Sequence, residues 1–138
     1  MSFDDLPENW AERPLDEPGL VADVLDLVVS EADRRAGALA VLICDDQGRL
    51  LQPCVVSPLP PAPSEGEREH AVRMFAGAVG PGGSLLLAIA RRDGLSLTDD
   101  DHGWAAAARR ACGAEVRLLG VHVVTAGGSR EVIPKQAA

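Results

Sequence analysis

Three histidines, three cysteines and a run of aspartates are the side chains here with the chemistry to hold a metal, activate a nucleophile or move a proton. His70, His102 and His122 are far apart and match neither H-E-x-x-H nor any paired-ligand spacing. Asp101 and His102 are adjacent, but a helix points neighbouring side chains about 100° apart, so they would not converge. A metal site relocated to Asp101, His102 or His122 is therefore the lesser alternative, and His122, set among apolar residues, reads as a hydrogen-bonded, partly buried histidine. Cys44, Cys54 and Cys112 are widely separated and form no C-x-x-C pair, which argues against a disulfide framework or a zinc ribbon. Cys44 and Cys112 read as small core residues, and Cys54 has no local activator. Ser57, Ser84 and Ser129 lack the G-x-S-x-G elbow of a serine nucleophile. Gly80-Pro81-Gly82-Gly83 precedes a strand instead of joining a strand to a helix, so it is a turn and not a phosphate cradle. Arg91 and Arg92, with Arg109 and Arg110 on the following helix, read first as solvated surface arginines, with an anion-attracting border to a site as the alternative.

The elements that must position these residues follow from periodicity. Gly19–Arg35 carries Val21, Val24, Leu25, Val28 and Ala32 at helical spacing and predicts one amphipathic helix ending near Gly37. Ala38–Cys44 is a near-continuous apolar run. A turn at Asp45–Gly48 follows, and Arg49–Val56 returns as a second strand. The four prolines of Ser57–Pro63 require an extended connector. Ser64 and Glu67 have capping-box spacing and open a helix with Val72, Phe75 and Val79 inward, ending at Gly80. Ser84–Ala90 is a third strand and Arg91–Leu97 a loop. Thr98 and Asp101 open a third helix, again at capping-box spacing, with Trp104, Ala107, Ala108 and Ala111 as its buried stripe and Gly113 as its end. Val116–Thr125 is the longest strand, and a turn at Ala126–Ser129 leads to a last hairpin arm, Arg130–Ile133. A mixed β-sheet with hairpins and about three helices results, in an α/β (α+β) arrangement. Residues 1–16 read as an irregular acidic segment, with Trp10 anchoring it, 17–134 as a single domain and 135–138 as a tail.

Composition narrows the function classes. The 138 residues are 46% hydrophobic and 25% charged, with a net charge of −8, which suits one domain with a self-sufficient core. Eight of the 21 acidic residues fall in the first thirty positions beside a single base, Arg13, so the remainder is close to neutral. No basic stripe interleaves with aromatics, and an acidic chain repels phosphate backbones, so nucleic acid is not an expected partner. No run approaches the ~18 apolar residues of a membrane span, and no basic region precedes an apolar stretch as in a signal peptide. A reducing cytoplasm is the expected setting.

One stretch carries a family resemblance. Leu85-Leu86-Leu87-Ala88-Ile89-Ala90-Arg91 precedes Thr98-Asp99-Asp100-Asp101, and Leu119-Gly120-Val121-His122-Val123-Val124-Thr125 closes the unit before a hairpin. This order resembles the JAB/MPN (JAMM) metallopeptidases, above all their RadC-like bacterial branch, across roughly Leu20 to Val132. The resemblance implies a three-layer, cytidine deaminase-like sandwich. In the family the buried strand ends in His-x-His-Pro and a Ser-x-x-Asp opens the next helix. Two histidines and the Asp bind zinc, and a Glu on an earlier strand is the general base.

At the matched positions this chain has Ala88 and Ala90 in place of the histidines and Arg91 in place of the proline. Thr98 and Asp101 remain, and Ala38–Ser57 contains no Glu. A hydrolytic zinc needs about three protein ligands and an open position for water. The resemblance therefore implies the scaffold without the catalyst. The expectation is a catalytically inactive interaction or scaffolding module without cofactor, with a protein partner or a second copy on its surface. The alternative is an enzyme or sensor that binds a small anionic ligand through Arg91 and Arg92, in a small concave volume left by Ala88 and Ala90. Thr98 and Asp101 also have a plain structural role as a helix cap.

Overall fold

The computed structural model describes residues 10–59, 63–92 and 94–132. Met1–Asn9, Pro60–Ala62, Asp93 and residues 133–138, including the expected tail, lie outside the described residues. A 3-10 turn, Trp10–Glu12, leads into α1 (Pro18–Val28), α2 (Glu31–Ala36), β1 (Ala38–Cys44), β2 (Leu50–Val56) and α3 (Glu65–Val79). These are followed by β3 (Ser84–Ala90), α4 (Asp99–Cys112), β4 (Arg117–Thr125) and β5 (Gly128–Glu131).

The strands form one five-stranded mixed sheet in the order β2-β1-β3-β4-β5. β1 pairs antiparallel with both β2 and β3, β3 runs parallel to β4, and β5 returns antiparallel to β4. The parallel β3–β4 pair is the one that requires a crossover, and α4 supplies it. The uninterrupted apolar sequences of β1 and β3 fit this placement, since central strands are covered on both faces.

Side-chain alternation sends Leu39, Val41, Leu85, Leu87, Ile89, Val121 and Val123 to a core beneath α3 and α4. The intervening Ala38, Ala40, Leu42, Leu86, Ala88, Ala90 and Val124 pack on the other face against Leu20, Val21, Val24 and Leu25 of α1. Helices thus cover both faces. The packed unit also begins before α1. Leu15 is buried, its N–H donates to the carbonyl of Gly48 at 2.9 Å, and Trp10 packs on the α1-side cluster.

One expected element divides in two. The amphipathic pattern of Gly19–Arg35 is broken at Val29, whose backbone is extended (φ −99°, ψ 112°), and Ser30 starts α2. The Ser30 hydroxyl accepts from the Asp33 N–H at 3.0 Å and the Asp33 carboxylate accepts from the Ser30 N–H at 3.3 Å. This reciprocal cap competes with continuation of the helix and prevails over a periodic apolar stripe. The other two capping boxes, Ser64 with Glu67 and Thr98 with Asp101, form where their spacing places them.

Candidate functional site

The β3–α4 junction holds the matched positions, and its chemistry is organised around Asp101. This carboxylate belongs to the first turn of α4, yet its side chain is only 1% exposed. Its Oδ2 accepts the Thr98 backbone N–H at 2.8 Å, while Thr98 Oγ1 accepts the Asp101 N–H at 3.2 Å. A buried charge needs more than a cap. Arg91, one residue past the end of β3, supplies the cation. Its Nη1 donates to Asp101 Oδ1 at 2.6 Å and to Oδ2 at 2.8 Å.

The same guanidinium organises the loop it belongs to. Arg91 Nε donates to the carbonyl of Gly94 at 3.0 Å and Nη2 to that of Ser96 at 2.8 Å. Gly94 sits at φ 84°, a left-handed conformation that favours glycine, and this lets the chain fold back onto the guanidinium. The Arg91 backbone N–H continues the sheet ladder to the Val124 carbonyl at 3.0 Å. Arg130 of β5 reaches over to the Leu95 carbonyl at 3.2 Å. Arg91 is thus a structural cation, with donors committed to Asp101, Gly94 and Ser96.

The remaining candidates do not gather at this centre. Ala88 and Ala90 are 0% and 1% exposed, with their methyl groups on the α1 side of the sheet, whereas α4 lies on the opposite side. The expected concave volume at these alanines is therefore not formed, because the packing against α1 covers them. Arg92 is exposed. Arg91 does not stand free to meet an anion, since a carboxylate of the chain itself already holds it.

The histidines lie on separate surfaces. His70 is exposed on α3, and His102 lies beside Arg68 in the α3–α4 groove. His122 is 8% exposed on the α1 side of β4, in register with Glu131 of β5 and Ala88 of β3. Burial pushes the His122 imidazole below its ordinary pKa, and the nearby Glu131 carboxylate opposes this in part. Asp101, His102 and His122 are therefore not brought together. Among the described residues, no three His, Cys, Asp or Glu side chains are grouped so as to hold a metal ion.

The zinc implied by the family resemblance does not fit the residues present. The one carboxylate that matches is neutralised by Arg91, and the two matched alanines carry no donor atom. Burial raises the Cys44 thiol to about 12, with the neighbouring Asp45 carboxylate adding to the effect. Burial raises Cys112 as well. Neither thiol has the electropositive, accessible surroundings of a nucleophile.

The surface offers a different feature. β2 is an edge strand with no charged residue, and it exposes Leu51 (67%), Val55 (39%) and Val56 (41%). Edge strands are usually guarded by charge, brevity or proline. The opposite edge, β5, is four residues long and carries Arg130 and Glu131. β2 is seven residues long and has only Pro53 as a guard. Among the described residues no helix is long and apolar enough to cross a membrane.

The chain matches no family model, no curated protein and no solved structure.

Proposed function

We propose that this chain is a catalytically inactive JAB/MPN-like domain that acts as a protein-interaction or scaffolding module of the cytoplasm. The observation that carries this reading is the Arg91–Asp101 ion pair. At the position where the resembled family places a metal-binding carboxylate, this chain has a buried carboxylate neutralised by its own arginine. That exchange of a bound cation for a side-chain cation keeps the β3–α4 junction folded and removes the Lewis acid that peptide hydrolysis would need. The order β3, loop, capped α4, β4 and closing hairpin supports the relationship. The uncharged edge of β2, with Leu51 and Val55 exposed, supports the interaction role.

The test combines chemistry and association. Peptide and isopeptide substrates incubated with zinc-supplemented protein are expected to show no turnover, and chelator is expected to change nothing. Turnover abolished by chelation contradicts the reading. Sedimentation over a range of concentrations, alone and with Leu51→Lys, reports whether a second copy uses the β2 edge.

A further inference from the structure

Asp26 on α1 and Arg34 on α2 would stand about 12 Å apart along the axis of an unbroken helix. The break at Val29–Ser30 turns the chain, and Arg34 Nη2 donates to Asp26 Oδ1 at 3.1 Å. The pair forms one wall of a cavity of about 270 Å³ on the α1 side of the sheet. The β4–β5 hairpin supplies another wall, where Ser129 lies in register with Val124. Ala22, Leu95 and Val124 add apolar surface. Leu95 is held in place: its carbonyl accepts from Arg130 Nη1 at 3.2 Å, and the carbonyls of Gly94 and Ser96 accept from Arg91.

The ion pair leaves bonding capacity open towards the cavity. A guanidinium offers five N–H donors and a carboxylate about four lone-pair sites. The Arg34 side chain is 12% exposed and that of Asp26 31%. Arg34 Nε is enclosed and out of a ligand's reach, but Nη1 is not enclosed and has no partner among the described residues. Asp26 Oδ2 is open in the same way. A cationic donor and an anionic acceptor thus stand side by side. A lone anion entering the cavity meets the Asp26 charge, and a lone cation meets that of Arg34. A zwitterion carries the complement of both in one molecule. The apolar walls and the small volume suit a short, uncharged side chain.

We propose that this cavity binds a small α-amino acid, whose carboxylate accepts from Arg34 Nη1 and the Ser129 hydroxyl while its ammonium donates to Asp26 Oδ2. This goes beyond the function proposed above and does not depend on it, because neither Arg91 nor Asp101 lines the cavity.

The experiment titrates L-alanine and L-valine to about 10 mM against the full chain and follows the backbone amides of the β4–β5 hairpin by proton–nitrogen NMR. At least one of the two is expected to shift these amides in a saturable way. Propionate and ethylamine, or isovalerate and isobutylamine, each keep one charge of the matching amino acid. Each is expected to bind about 10-fold more weakly or worse, the factor for losing a hydrogen bond to a charged group. Asp26→Asn is expected to weaken the amino acid by a similar factor and to strengthen the matching carboxylic acid, which a merely structural role for Asp26 would not do. Ala22→Leu fills the cavity and is expected to abolish the shift, with an otherwise unchanged spectrum showing that the variant folds. No saturable shift with either amino acid, equal binding of the acid or the amine alone, or an undiminished shift in folded Ala22→Leu overturns the proposal.

Discussion

Replacing Arg91 by alanine leaves the Asp101 carboxylate buried at 1% exposure without its cation. Breaking a buried ion pair from one side costs roughly 3–5 kcal/mol. Two features of this site reduce that figure. Asp101 keeps the Thr98 N–H at 2.8 Å and its place at the N-terminus of α4, which favours negative charge, and the Arg91 side chain is 23% exposed, so water partly screens the pair. Loss of the Gly94 and Ser96 contacts acts in the opposite direction. The expected net loss for Arg91→Ala is about 3 kcal/mol. For a chain of this size, that lowers the melting temperature by roughly 10 °C. Asp101→Asn keeps a capping oxygen and leaves Arg91 bound to the loop carbonyls, so it should cost less, about 1 kcal/mol. The double variant should fall short of the sum of the single losses by about 1–2 kcal/mol, the coupling of the pair. Urea unfolding monitored by far-ultraviolet circular dichroism, with the slope checked for constancy, measures all three. A loss under about 0.5 kcal/mol in Arg91→Ala, or strict additivity, refutes the assignment of Arg91 as the cation that Asp101 requires.

Acidification tests the placement of His122. Its folded pKa lies below the ordinary 6.5, so the unfolded chain takes up the proton first and stability falls as the pH drops below about 6.5. His122→Gln should flatten that part of a stability–pH curve, and an unchanged curve contradicts the burial argument. The cysteines test the core directly. Cys44 (1% exposed) and Cys112 (4% exposed), both with raised pKa, should resist a thiol reagent at pH 8 in the folded protein, while the half-buried Cys54 reacts first. Rapid reaction of all three thiols in native conditions contradicts the packing of β1 and α4.

Much of the fold is legible in the sequence because its local signals agree. The apolar runs Ala38–Cys44 and Ser84–Ala90 become β1 and β3 with the expected limits. The capping boxes at Ser64 and Thr98, with closing glycines at Gly80 and Gly113, mark α3 and α4. The break at Val29–Ser30 carries the same kind of signal in Ser30 and Asp33, but the apolar stripe across it masks the cap. The last arm differs by a few residues: the turn tightens to Ala126–Gly127, and β5 starts at Gly128, paired with Thr125.

The candidate site is less legible, for a physical reason. Spacing shows that Thr98 and Asp101 form a cap but not that the Asp101 side chain is buried, and only burial creates the need for a cation. Arg91 therefore reads as a surface base until the loop between them is seen to fold back at Gly94. Likewise, alternation along β3 assigns Ala88 and Ala90 to one face, but it does not say which helix covers that face.

The most direct measurement is the metal content of the chain, purified without an affinity tag and then equilibrated with zinc and desalted. Zinc is expected far below one equivalent per chain, because Arg91 already neutralises Asp101 and neither Ala88 nor Ala90 offers a ligand. One tightly held zinc per chain contradicts that expectation.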